Sequence, residues 1–234
     1  MKFLSIAALA LFGLASAAQV TSQEKVESPA PWLEVKISTL NYGPGILNER
    51  ATQAQRNLVR RDMNEILGFR KELEADGGML PAVQWSYDGE FTTRLHTKNA
   101  ISWDFAGMTY TGGAHPNHIL VGQVLVLQGG KVNKATYSSL FKKESWPKVE
   151  RLVRAGFSDA RTDRLGPEFA RKERVRYEDM NNFTTDKNGL VFLFPHYVMG
   201  SYAEGSYTVV IGWDKLVNHM TPQGLILHTA VTRS

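Results

Sequence analysis

The chain reads as an α+β protein: an antiparallel sheet meander packed against a long N-terminal helix and further helices. Three observations carry that reading. Val83 to Leu127 holds successive strand-length runs separated by short turns. Asn48 to Leu73 is a long helical stretch. The C-terminal half mixes helix starts with further strand-like runs. A period of two marks half-buried strands and a period near 3.6 marks helix. Short turns between consecutive strands favour antiparallel neighbours.

The first residues carry a compartment signal. Lys2 is a short positive start, Phe3 to Leu14 is apolar apart from Ser5 and Gly13, and Ala15-Ser16-Ala17 is a small-residue cleavage pattern. Residues 1–17 are therefore expected to be a secretory signal peptide. The run is short for a membrane span, which needs roughly 20 residues. No membrane span is expected in the mature chain, and the expected location is periplasmic or secreted. The chain has no cysteine. That excludes a lipid-attached lipoprotein, thiol chemistry and cysteine-ligated zinc, and leaves an exported protein to be held by packing alone. The formal net charge of +4 is too small to argue for nucleic acid. Arg60, Arg61, Arg171, Lys172, Arg174 and Arg176 read as solvated helix faces.

Residues 18–31 are polar and contain Pro29 and Pro31, which suggests a disordered linker. Trp32 to Leu40 alternates, with Leu33, Val35 and Ile37 on one face, so a strand is expected. Asn41 to Gly45 is a turn. Asn48 is the expected N-cap of the long helix, with Leu58, Met63, Ile66, Leu67, Phe69 and Leu73 on its broad apolar face. Strands follow at Val83–Tyr87, Glu90–His96, Ala100–Tyr110 and His118–Leu127, the last leading into a hairpin turn at Gln128–Lys131.

Ser145 is placed to cap a helix running to about Ala160, and Pro167 to open another reaching Glu178. Asn181–Phe183 reads as loop. Leu190–Phe194 and Ser206–Ile211 read as strands, Leu216-Val217 as a helical turn and Gly224–Val231 as a last strand. The division expected is an N-terminal module at 32–118 and a C-terminal module at 119–234, packed as one body.

Two segments stand out as a candidate surface. Tyr110 to Asn117 (YTGGAHPN) is a glycine turn with a polar end, and Asn188 to Ile211 holds two strands joined by a Tyr-Ala-Glu-Gly loop. Gly112 and Gly113 permit close backbone approach. His115 and His118 lack the spacing of a metal motif, so no metal is expected, and His115 reads as bonded to backbone or to Asn117. Tyr197 and Tyr202 offer amphipathic area suited to sugar stacking or protein contacts. Glu204 is placed to accept hydrogen bonds from a cationic partner. The candidate binding residues are Gly112, Gly113, His115, Asn117, Tyr197, Tyr202 and Glu204. Glu90, Asp104 and Glu204 could meet in the fold as an acid pair, but nothing in their spacing requires it, and no nucleophile elbow or zinc-protease helix is present. No catalytic residue and no cofactor is expected.

These segments carry a resemblance. YTGGAHPN, Leu140-Phe141, the run from Phe183 to Phe194, Tyr197 to Gly205, and Tyr207 to Leu216 resemble, in order and spacing, the extracytoplasmic domain of RsiV-type anti-sigma factors. A similar module precedes the catalytic domain of PdaC-type peptidoglycan deacetylases, with a companion module like residues from Trp32 onward. The resemblance spans roughly residues 32–220. It implies an α+β fold and a recognition role toward lysozyme or peptidoglycan. The chain lacks the sigma-binding segment and the deacetylase domain of those proteins. The expectation is thus a non-catalytic binding protein of the cell envelope. A cell-wall hydrolase or deacetylase with an unrecognised site, or an accessory subunit of an envelope complex, are the other readings, and the oligomeric state stays open.

Overall fold

The long helix organises the first half of the chain. In this computed structural model, which describes residues 20–77, 82–169 and 175–233, helix α1 runs Ile46–Ala75. Its buried positions are Leu47, Ala51, Gln55, Leu58, Asp62 and Ile66, steps of three and four that keep one face inward. Two of those rungs are polar and both are used. The Gln55 side-chain carbonyl accepts from the Leu40 amide at 2.9 Å. The Asp62 carboxylate accepts from the Tyr87 hydroxyl at 2.8 Å. Burial is the main reason the Tyr87 hydroxyl titrates far above its ordinary range, with the Asp62 charge adding to it. The N-cap position is Gly45, not Asn48; Asn48 instead donates to the Tyr42 and Pro44 carbonyls at 2.8 and 2.9 Å and ties down the preceding turn.

α1 lies on a six-stranded sheet in the order β1 (Thr21–Ala30), β2 (Leu33–Asn41), β3 (Trp85–His96), β4 (Ala100–Tyr110), β5 (Asn117–Gln128) and β6 (Lys131–Lys134). Leu33, Val35, Trp85, Tyr87, Phe91, Trp103 and Phe105 form the core beneath the helix. Strands β3 to β6 are the expected antiparallel meander, and the two runs at 83–87 and 90–96 are one strand. Two expectations are corrected. Residues 21–30 are a strand and not a disordered linker: they pair antiparallel with β2 along nearly their whole length. β2 and β3 are parallel, because α1 carries the chain back to the end of the sheet from which β2 started. The segment read as a signal peptide, residues 1–17, lies outside the described residues.

The second half begins with the short helix α2 (Tyr137–Leu140) and the long α3 (Trp146–Leu165). Ser145 holds the cap position of α3, but its side chain makes no cap and meets His219 Nδ1 at 3.3 Å. Only a 3-10 turn, Pro167–Phe169, opens the helix expected there, and residues 170–174 lie outside the described residues. From Val175 to Glu178 the chain is not helical. A three-stranded sheet follows: β7 (Phe183–Thr185), β8 (Gly189–Phe194) and β9 (Tyr207–Gly212). β7 falls where the sequence read as loop. After the turn α4 (Trp213–Leu216), the chain ends in helix α5 (Pro222–Thr232). This corrects the expected last strand. Thr221 caps the helix by accepting from the Gly224 amide, Pro222 starts it, and Gly224, Leu227 and Val231 bury one helical face. Among the described residues no helix is long and apolar enough to cross a membrane.

The two sheets meet at β5. β6 pairs only with Leu125 to Gln128, so further upstream the outer edge of β5 is open. Asn182 fills it. Its amide accepts from the Gly122 N–H at 2.7 Å and donates to the Leu120 and Leu193 carbonyls, each at 3.0 Å. Gly122 must lack a side chain there, since a Cβ would lie 2.6 Å from the Phe183 backbone. Deeper in, the Thr185 amide donates to the buried Ser102 hydroxyl at 2.9 Å. The face of the large sheet turned away from α1 thereby joins a second core with β7–β9, α3 and α5.

Gly122→Val should therefore lower the unfolding free energy in urea by about 2–3 kcal/mol. Gly68→Ala, at a mid-helix position where an added Cβ meets nothing within 4 Å, should raise it by up to about 1 kcal/mol. Equal effects of the two substitutions would contradict the packing described here.

Candidate functional site

The candidate surface is the place where the β4–β5 turn meets the β8–β9 connection. Thr111–Pro116 joins β4 to β5, with Gly112 at φ 89°, a left-handed conformation that favours glycine. Gly113, His115 and Asn117 are exposed along this segment. On the other side Pro195 to Ser206 loops from β8 to β9. The two segments bring five rings together. His115 stacks on Tyr202 with ring centres 3.9 Å apart, and its Nε2 lies 3.2 Å from the Tyr197 hydroxyl. His118 stacks on His196 at 4.4 Å with planes within 14°, and its Nε2 lies 3.2 Å from the Tyr202 hydroxyl. His196 Nδ1 lies 3.0 Å from the Ser206 hydroxyl. Burial, then the neighbouring His118 and Arg164, hold His196 below the ordinary imidazole range, so it is neutral at neutral pH.

Tyr197 is the outlier of the cluster. Among the described residues it alone, apart from glycines, has a positive φ, at 66°, and it is 62% exposed. A bulky residue held in left-handed backbone with most of its surface in solvent is strained for little gain in packing. Beside the rings runs a groove of about 410 Å³ lined by Asp88, Met108, Leu120, His118, His196 and Ser206. Its floor is the large sheet, and its wall is the β8–β9 connection.

The structure brings together His115, Tyr197 and Tyr202 from the residues expected in the sequence. His115 Nδ1 does lie against backbone, 3.1 Å from the Pro116 carbonyl. Asn117 opens β5 opposite Thr109 and takes no part in the ring contacts among the described residues. Glu204, expected to accept hydrogen bonds from a cationic partner, is engaged inside the fold as a clamp. Its carboxylate oxygens lie 3.0 and 3.1 Å from the buried Arg161 guanidinium, accept from the Ser201 amide at 3.0 Å and accept from the Tyr207 hydroxyl at 3.0 Å. Burial pushes its pKa up, but the Ser201 amide, the Tyr207 hydroxyl and Arg161 outweigh it and hold the carboxyl below its ordinary range. Arg164 adds to the clamp by donating to the Glu204 and Ser206 carbonyls and lying 4.1 Å over the Tyr207 ring. Asp104, a buried acid also considered for catalysis, is bound by Arg94 at 2.5 and 2.9 Å.

His196, Ser206, Arg161 and Arg164 are site residues that the sequence reading does not include, and two signals in the sequence bear on the Arg161–Glu204 pair. Arg161 falls on the stripe Val149, Val153, Phe157, Arg161 of α3, three steps of four on the buried face. Ser201-Tyr202-Ala203-Glu204 has the spacing of a capping box, which assigns the carboxylate to local backbone. The pairing of His118 with His196 leaves no comparable trace.

The features in hand define a class: a two-sheet α+β protein that presents a tyrosine–histidine surface where its sheets meet. Residues 138–214 match the family model described as a protein of unknown function, DUF3298. Two solved structures of that family share the fold. One, from Bacteroides fragilis, is 15% identical with a TM-score of 0.56, covering 90% of this chain and 96% of that one. The other, from Pseudomonas aeruginosa, is 11% identical with a TM-score of 0.60, covering 88% of this chain and 94% of that one. No curated protein matches the chain.

The clamp predicts a pH dependence. The folded pKa of Glu204 lies below its ordinary value of 4.5. Its stabilising contribution is therefore complete above that value and is lost as pH falls through the folded one. Glu204→Gln should cost about 2–3 kcal/mol at neutral pH and flatten the acid limb of stability. Melting curves of the two proteins that stay parallel down the acid limb would refute the clamp.

Proposed function

We propose that this protein is an exported, non-catalytic binding protein of the cell envelope that recognises lysozyme or peptidoglycan-type ligands. The recognition surface is the ring cluster of His115, Tyr197 and Tyr202. The observation that carries the proposal is Tyr197: an exposed aromatic ring kept in strained backbone at the junction of two elements. Strain of this kind is retained where the side chain has work outside the fold. Aromatic rings with polar edges suit both sugar faces and protein contacts, since they bring large area at small entropic cost. The motif order shared with RsiV- and PdaC-type domains favours these two ligands. The leader at residues 1–17 favours an exported protein.

The test is calorimetric titration of the chain from Ala18 onward against lysozyme and against soluble peptidoglycan fragments. Binding to either, weakened roughly tenfold by Tyr202→Ala, is the expected result. Tyr197→Gly separates function from folding. Relief of the left-handed strain should raise stability by about 1 kcal/mol, while loss of the ring should weaken binding. Silence with both ligands, or a Tyr197→Gly protein that binds as well as the parent, would overturn the proposal.

A further inference from the structure

The end of the molecule opposite the ring cluster has its own chemistry. The β3–β4 hairpin, Thr97–Asn99, sits between two shallow grooves that share Thr97 and Lys98. One groove lies against the start of α1 and is lined by Ile46 and Leu127; the other lies against α5 and is lined by Leu225, Ile226 and Arg233. Ile46 is 50% exposed and Leu225 42% exposed. Lys98 and Arg233 are exposed, and neither has an ion-pair partner among the described residues. Among the described residues no carboxylate lines either groove. Apolar side chains that flank unpaired cations, with no acid among them, match the boundary of an anionic bilayer, where phosphates lie just outside the hydrocarbon.

The topology agrees. Thr21 pairs with Asn41, which precedes the turn into α1, so the chain enters the fold at this same end. The ring cluster lies at the far end of β4, an eleven-residue strand, about 35 Å away at roughly 3.3 Å per residue.

We infer that this end docks on an anionic lipid surface, with Ile46 and Leu225 entering the headgroup boundary and Lys98 and Arg233 meeting lipid phosphates. The docked protein presents its ring cluster away from the membrane. The site is separate from the ring cluster, so either proposal stands if the other fails.

The experiment is co-sedimentation of the chain from Ala18 onward, which keeps every described residue. It uses vesicles of phosphatidylcholine alone and vesicles of equal parts phosphatidylcholine and phosphatidylglycerol. Expected is sedimentation with the anionic vesicles only, weakened by salt. The double variant Lys98→Glu/Arg233→Glu should lower vesicle affinity by roughly tenfold or more. Ile46→Ser/Leu225→Ser should lower it as well, and all four changed positions lie on the surface, so melting temperatures should stay at the parent value. Equal partition onto both vesicle types, no sedimentation with either, or variants that sediment like the parent would overturn the inference. So would equally tight binding to soluble polyglutamate that is indifferent to Ile46 and Leu225, which would make the surface a general polyanion site.

Discussion

The structure depends on the seam at the open edge of β5. A sheet edge leaves backbone donors and acceptors exposed, and these must be paired, solvated or covered. Here β6 is too short to cover the edge, and one asparagine completes it. Asn182 takes the N–H of Gly122 and gives its own protons to carbonyls of both sheets. The missing side chain at Gly122 lets the Phe183 backbone approach, and Thr185 reaches the buried Ser102. Everything in the second half, including the β8–β9 connection, takes its position relative to the large sheet from these contacts.

The ring cluster follows from that placement. His115 arrives on the β4–β5 turn and His118 at the start of β5, and His196, Tyr197 and Tyr202 arrive on the β8–β9 connection. The rings touch only because the seam sets the distance between the two segments. The connection needs its own support, which the Arg161–Glu204–Tyr207 clamp supplies from beneath. Removing the charge of a buried, paired group is costly because the partner keeps its desolvation penalty. A rigid base under exposed rings is what a recognition surface requires, since rings that are already ordered lose less freedom on binding.

The sequence made local features legible. The alternation in Trp32 to Leu40 and in Ala100 to Leu127, the helical period after Asn48 and the turns at Gly112-Gly113 and Gly129-Gly130 all correspond to elements in place. Errors arose where local pattern competes with a cap or a neighbour. Gly224–Val231 is apolar enough for a strand, but Thr221 and Pro222 start a helix. Residues 21–30 are polar enough for a linker, but β2 offers them a backbone ladder. Of the site, the tyrosines and His115 were legible as unusual residues beside glycine turns, whereas the Arg161 contact of Glu204 was not, because the arginine lies on another element.

The long helix α1, the strands β2 to β5 and their glycine turns were determined by the sequence alone, because periodicity, caps and glycines act over a few residues. The tertiary structure decided the parallel pairing of β2 with β3, the placing of His118 against His196 and Tyr202, and the pairing of Glu204 with Arg161. The partners in these contacts are far apart in the chain: 84 residues separate His118 from Tyr202, and 43 separate Arg161 from Glu204. No local preference encodes a contact at that separation. It exists only once two cores have formed and the open edge of β5 has fixed how they meet.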